Sequence, residues 1–393
     1  MKFKYASRVD GMQSSAIREI LKITQQPDVI SFAGGMPSPD TFPVQELNKV
    51  INTVLTEQGA AALQYGITEG YAPLRAWIAA RMSKKGIVCQ SEHVLISAGS
   101  QQILDFAGKI FCDPGDKVVV ESPVYLAAVQ AFRSYQVEFI TIPADREGMN
   151  TLKLEEAVAK HKPKLIYVNP TFQNPTGVTM SAERRAEVAQ IAARYHVPVI
   201  EDDPYGELRF EGEPVPPIKA YPGGEWVIHM SSFSKIISPG LRVGWAVADA
   251  EIIGRLTMAK QSSDVHTNSL AQHAIYQYLL THDLDKHIAQ TVDKYRIQRD
   301  AMLAEMEASF PVTCRWSKPE GGMFVWVELP EGVDATQLLA KAVAQKVAFV
   351  PGAPFYTNEG RPNTLRLNYS NSSPEQIRIG IKRLGDILTE ELG

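Results

Sequence analysis

The chain has 393 residues, 45% hydrophobic and 21% charged, with 40 Lys and Arg against 44 Asp and Glu for a net charge of -4. That length supports two or three domains with cores of their own, and the near-neutral balance argues against nucleic acid as a partner. Cys89, Cys112 and Cys314 are scattered without metal-ligand spacing, no apolar signal core follows Met1 and no run is long enough to span a bilayer; the expectation is a cytoplasmic protein with reduced thiols, no metal and no membrane partner.

Residues 1–45 read as an arm. Ser14 and Ser15 can cap a short helix over 16–24, with Ile17, Ile20 and Leu21 on one face and Arg18 and Lys22 on another. The run Ala-Gly-Gly-Met-Pro over 33–37 then enforces an extended, turn-bearing path, in which Gly35 lets the backbone come close to another group. From about residue 46, helix and strand patterns alternate, which predicts an α/β domain with a mainly parallel, seven-stranded sheet covered by helices on both faces. The strands are expected at 93–97, 117–121, 137–142, 164–168, 197–201, 226–230 and 241–247. Helices are expected at 101–111 and at 182–195, the latter capped by Ser181.

Ligands of such sheets bind beyond the carboxyl ends of the strands, and each of those ends carries polar residues. After the first strand, Gly99, Ser100 and Gln101 open a helix, which is an anion site or a simple N-cap. Tyr125, after the second, is placed to stack on a flat ring or to pack. Two Asn-Pro steps over 169–175 force extended or turn backbone and expose Asn174, whose amide can donate to a phenolate-like oxygen. Asp202, at the next strand end, is an Asp-Pro turn residue or a carboxylate that keeps a ring nitrogen protonated, with Tyr205 three residues on as a donor.

The run from 226 to 245 gathers the most chemistry. An apolar strand leads into Ser-Ser-Phe-Ser-Lys at 231–235 and Pro-Gly-Leu-Arg-Val-Gly-Trp at 239–245. Lys235 becomes a nucleophile toward a carbonyl if desolvation or a cation such as Arg242 lowers its pKa. Ser232, Ser234 and Arg242 offer hydroxyls and a guanidinium fork suited to phosphate. Beyond 286 lies a second domain with strand patterns at 321–329 and again at 364–370, where Arg366 alternates with Leu365 and Leu367 and so points to the other face.

The Ser-Ser-Phe-Ser-Lys and Pro-Gly-Leu-Arg-Val-Gly-Trp runs closely resemble the cofactor-lysine signature of class I aminotransferases, which are fold-type I enzymes dependent on pyridoxal 5'-phosphate. The segments around Ser100, Tyr125, Asn174, Asp202, Tyr205, Lys235 and Arg242 match that pattern in order, and the chain looks most similar to the branch of 2-aminoadipate, kynurenine and aromatic aminotransferases. The resemblance implies an N-terminal arm over 1–45 that also forms part of the small domain, a large cofactor domain over 46–285 and a C-terminal small α+β domain over 286–393, in which the run 347–356 resembles the family's small-domain strand and turn. It also implies that Lys235 holds the cofactor covalently and is catalytic. Ser100, Gln101, Tyr125, Asn174, Asp202, Tyr205, Ser232, Ser234 and Arg242 would bind the cofactor, with Tyr65 reaching it from a neighbouring subunit of a homodimer.

By the same resemblance Arg366 clamps the substrate α-carboxylate, with Asn174 and Gly35 beside it; Gly35 is otherwise an inter-domain crossing. Arg18 contacts a distal carboxylate or is a solvated helix arginine. The expected reaction is ping-pong transfer of an amino group from an L-amino acid, 2-aminoadipate or one with an aromatic or other bulky side chain, to 2-oxoglutarate. A lyase or decarboxylase of the same fold would share the cofactor residues. A ligand sensor fused to a DNA-binding domain is disfavoured, since only residues 1–32 precede the Ala33 turn.

Overall fold

The structure is a computed structural model that describes residues 3–9, 11–12, 28–358 and 360–392. The helix expected over 16–24, and Arg18 with it, lies outside the described residues. All seven expected strands of the large sheet are present, and an eighth, Gly148–Met149, is added at one edge. Their order is Val94–Ser97, Gly244–Val247, Val227–Ser232, Val199–Asp202, Leu165–Val168, Lys117–Ser122, Glu138–Asp145 and Gly148–Met149. Gly244–Val247 runs antiparallel to both of its neighbours, and Gly148–Met149 runs antiparallel to the strand before it; the other pairings are parallel. The strand expected from 241 starts at Gly244, because Pro239–Leu241 forms a tight turn and Arg242 takes left-handed dihedrals (φ 51°, ψ 48°).

The sheet is covered on both faces, and the two-residue alternation shows it. Val118, Val120, Leu165 and Tyr167 pack with helices Ser100–Phe111, Leu126–Arg133 and Ala250–Gln261. Val119, Ile166 and Val168 pack on the opposite side with Thr151–His161 and Ala182–Tyr195. Strands apolar at every position are what double coverage demands. Ser181 caps the second of those helices, its side chain accepting the Arg184 N–H as the sequence predicts.

A second core lies under a four-stranded antiparallel sheet in the order Arg315–Trp316, Phe324–Glu328, Thr364–Asn368, Val350–Pro351. Leu365 and Leu367 enter that core, while Arg366 lies opposite Trp326 on the other face. Helix Leu284–Ser309 joins the two halves: Leu284 and Ile288 belong to a core of the large sheet, and Tyr295, Met302 and Met306 to that of the small one. The segment after residue 28 is stitched to the small sheet by parallel pairing of Ile30–Ser31 with Val347–Ala348, and the Ser38 N–H donates to Tyr295 Oη at 2.9 Å. The chain then crosses the mouth of the large sheet.

Replacing Ser181 by Ala removes the only side-chain cap of helix Ala182–Tyr195 and should destabilise the fold by about 1 kcal/mol, seen as a lowered urea midpoint with an unchanged slope.

Candidate active site

The carboxyl ends of the parallel strands, the crossing segment and the small sheet enclose a cleft of about 360 Å³ lined by Gly35, Ser100, Gln101, Tyr125, Asn174, Asp202, Tyr205, Ser232, Ser234, Lys235, Arg242 and Arg366. Those twelve are all of the site residues expected from the sequence except Tyr65 and Arg18. Tyr65 is 81% exposed and sits in a separate surface hollow against His266, their rings edge to face at 5.7 Å.

One side of the cleft is an anion cradle. Gly99 precedes helix Ser100–Phe111 with φ 82° and no side chain caps the helix, so its first N–H groups remain available to a ligand. A Cβ at Gly99 would come within 2.4 Å of Arg242 Nη2, and one at Gly244 within 2.8 Å of the Ser100 nitrogen. Glycine is favoured at 99 by its dihedral, and a side chain there would push the Arg242 guanidinium aside. Arg242 is held over the cradle by bonds to Pro239 O and Ala98 O at 3.3 and 3.1 Å. Ser232 Oγ lies 2.7 Å from Ser234 Oγ and accepts the Ser234 N–H. Gln101 donates to Ala127 O at 3.0 Å, tying the cradle to the helix that follows Tyr125.

Lys235 stands on the turn after Val227–Ser232 and donates from Nζ to Gly35 O at 2.9 Å. Burial lowers its pKa to about 8, with Arg366 and Arg242 repelling the charged form further. A far larger share of it is thus free amine near neutral pH than in an ordinary lysine, as a nucleophile or base requires. A Cβ at Gly35 would touch only Phe324 Cζ at 3.6 Å, an ordinary contact, so the protein itself does not demand glycine at that position.

Glu201, Asp202 and Asp203 are three consecutive buried carboxylates in different circumstances. Glu201 accepts from the Ile218 and Lys219 N–H groups and meets His229 Nδ1 at 3.0 Å; burial works against its charge, but His229 prevails and its pKa is lowered. Asp203 Oδ1 has no partner but does not line the cleft. Asp202 lines it, with Oδ2 accepting from Tyr167 Oη at 2.8 Å and Oδ1 buried without a partner. Burial raises its pKa to about 7; the Tyr167 bond lowers it and the Asp203 charge adds to the rise. An ionised carboxylate with one open oxygen is a site for a cationic N–H.

On the small-sheet side, Arg366 is 1% exposed and donates to Asn174 Oδ1 and Ala33 O, each at 2.8 Å. Its guanidinium lies over the Phe324 and Phe355 rings at 4.3 and 5.3 Å, and Nε has no partner. Burial lowers its pKa to about 10, where it is still fully charged at neutral pH. Since Asn174 Oδ1 is occupied by Arg366, its NH2 is the end left for a ligand oxygen. Burial raises the Tyr125 phenol to about 12 and the Tyr205 phenol further, so both keep their protons and remain donors.

Sequence reasoning passed over Tyr167 and Asn169. Asn169 donates from Nδ2 to Asp202 O and accepts the Asn174 N–H at Oδ1, joining a site residue at a strand end to one on a loop. Its signal was an Asn directly after a strand, in the first of the two Asn-Pro steps. Tyr167 gave no signal inside the run Leu-Ile-Tyr-Val, because its partner is on the adjacent strand.

The donor set fits a flat ring with a phosphate: an uncapped helix start with a guanidinium for the anion, an open carboxylate oxygen for a ring N–H and an amine for a carbonyl carbon.

Residues 27–384 match the family model "Aminotransferase class I and II". An aromatic-amino-acid aminotransferase 1 of Thermococcus litoralis is 46% identical over 99% of this chain and 94% of its own length. A 2-aminoadipate transaminase of Thermus thermophilus is 43% identical over 96% and 94%. A crystal structure of the kynurenine aminotransferase of Pyrococcus horikoshii, in complex with PMP and with KYN as substrate and KYA as product, superposes with a TM-score of 0.95 at 43% identity, covering 99% of this chain and 98% of that one.

Two measurements check the site. Gly99→Ala should displace the Arg242 guanidinium and weaken binding of a phosphate monoester by about ten-fold or more, read by isothermal titration calorimetry. Condensation of Lys235 with a simple aldehyde should rise with pH around a midpoint near 8; a midpoint near 10.5, the ordinary lysine value, would contradict the desolvated amine.

Proposed function

The chain belongs to the class I and II aminotransferases and is a pyridoxal phosphate (PLP)-dependent enzyme, and from that premise we propose that it moves an amino group between a bulky, aromatic or acidic L-amino acid and 2-oxoglutarate by a ping-pong reaction. The observation that carries the reading is the pairing, in one cleft, of the Lys235 amine with a pKa lowered to about 8 and a buried Asp202 whose Oδ1 has no protein partner.

When bound, PLP supplies an electrophilic carbonyl carbon and a ring that accepts electron density. Ser100, Gln101, Ser232, Ser234 and Arg242 would hold its phosphate; Asp202, through Oδ1, its ring nitrogen; Asn174 and Tyr205 its ring oxygen; and Tyr125 its ring face. Lys235 would hold its carbonyl carbon. Arg366 binds the α-carboxylate of the amino acid, a role suited to its fork of donors and its burial. Nζ of Lys235, neutral in its working form, takes the proton from the substrate Cα. The crossing segment lines the cleft with Gly35 and Met36.

Among the described residues the cations that line the cleft are Lys235, Arg242 and Arg366, each with a role already. Met36, Leu126, Ala127 and Pro204 form a neutral wall, which favours aromatic and aliphatic side chains. Arg18 is proposed to meet the distal carboxylate of acidic substrates. A homodimer in which Tyr65 completes the neighbouring site, and a cytoplasmic location, belong to the same proposal, as does the division into an arm over 1–45 that forms part of the small domain, a large domain over 46–285 and a small one over 286–393.

The test is single-turnover absorbance of the holoenzyme. Glutamate, 2-aminoadipate, phenylalanine or kynurenine should bleach the visible band of the bound cofactor, and 2-oxoglutarate should restore it. Bleaching that 2-oxoglutarate cannot reverse would move the reading to a lyase. Arg366→Lys should raise KM by about ten-fold or more through loss of the second hydrogen bond. Lys235→Ala should abolish turnover and the visible band together.

A further inference from the structure

We propose that Tyr167 is a positioning residue for the proposed reaction, holding Oδ2 of Asp202 so that Oδ1 is the oxygen presented to the cofactor's ring nitrogen. The inference rests on the function proposed above. Tyr167 lies on Leu165–Val168, the strand hydrogen-bonded to Val199–Asp202, in register with Ile200. Its ring is fully buried and packs edge to face on Phe132 at 6.1 Å, which leaves the hydroxyl little freedom.

The backbone of Asp202 is fixed twice, by strand pairing with Met230 and by the Asn169 amide on its carbonyl. What remains free in Asp202 is rotation of the carboxyl group, which would exchange its two oxygens. A phenol has one proton to donate, and it is given to Oδ2 at 2.8 Å. The rotation is thereby stopped with Oδ1 unpaired in a residue that lines the cleft.

The same bond stabilises the charged carboxylate in a site that otherwise resists charge. Asp203 adds a negative charge beside Asp202, and the phenols of Tyr125 and Tyr205 adjoin it from the loops. Glu121, on the strand beyond Tyr167, is a further buried carboxyl whose pKa is raised by burial to about 7 and which accepts the Asn169 N–H at 3.0 Å. Tyr167 is the hydrogen-bond donor that Asp202 has within this group. Without it the pKa of Asp202 rises further, and the pH above which a carboxylate faces the ring nitrogen rises with it.

The test substitutes Tyr167→Phe, which keeps the ring packing and removes the donor. Pyridoxamine 5'-phosphate is titrated against the full chain freed of cofactor, across pH, because its binding needs no covalent bond to Lys235. Inorganic phosphate is titrated in parallel as a probe of the anion cradle alone. In the variant the acid limb of pyridoxamine phosphate binding should move up by about one pH unit, with about ten-fold weaker binding at neutral pH, while phosphate affinity stays the same. In an Asp202→Asn background the same substitution should change neither.

An unmoved acid limb would overturn the proposal, and so would an equal loss in the Asp202→Asn background, which would mark Tyr167 as merely structural. If Tyr167→Phe does not fold, Phe132→Leu, which loosens the ring and keeps the hydroxyl, should shift the limb in the same direction by less; no shift there would likewise overturn it. A wild-type chain that binds phosphate but not pyridoxamine phosphate would instead refute the proposed function itself.

Discussion

Asp202 and Arg366 are buried, and Lys235 half-buried, around one cleft between the large and small sheets, and the cost of that desolvation governs how the cleft is built. Burial moves each of the three toward its neutral form: Asp202 up to about 7, Lys235 down to about 8, Arg366 down to about 10. For the lysine the shift creates the reactive amine. For the aspartate, in the role proposed for it, the shift is a liability, because an acid that keeps its proton cannot hold a protonated ring nitrogen. The Tyr167 hydroxyl offsets part of that liability.

The architecture around these charges follows from the sheet. Parallel strands bring their carboxyl ends to one edge, so residues from distant parts of the chain converge without long side chains. Serines 100 and 232, Asn174 and Asp202 all leave strand ends, and Lys235 follows on the turn after its strand. The small sheet supplies the missing wall, since Arg366 reaches across to Asn174. The segment at Ala33 and Gly35 passes between the two, accepting one hydrogen bond from Arg366 and one from Lys235. Both halves of the molecule therefore hold the same short stretch of backbone, and an amino acid with a carboxylate for Arg366 would meet the cleft at that junction.

Legibility of the site followed the local character of each signal. The Ser-Ser-Phe-Ser-Lys run, the Gly-Ser-Gln helix start and the alternation around Arg366 are all contained within a few residues, and each could be placed before any contact was known. The edge strand Gly148–Met149 was missed because two residues carry no period. Arg242 was read as strand and is a left-handed turn residue, which the preceding Pro-Gly pair foreshadows. Asn169 was marked only by its Asn-Pro step after a strand and Tyr167 by nothing, since each bonds to Asp202, 33 and 35 positions away.

The sequence by itself determined the alternation of strands and helices, the burial of the sheet on both faces and the residues that end its strands, because periodicity and strand-end chemistry are properties of short segments. Strand-end position already pointed to Asp202, but only the tertiary structure decided which of its oxygens is open to the cleft and how the three adjacent carboxylates differ in charge. Glu201, Asp202 and Asp203 are equivalent as a string of acids, and what separates them is which groups happen to stand opposite: His229 and two backbone N–H groups for Glu201, one tyrosine for Asp202. Protonation in the interior is set by those neighbours and by distance from water, and neither is a property of the residue alone.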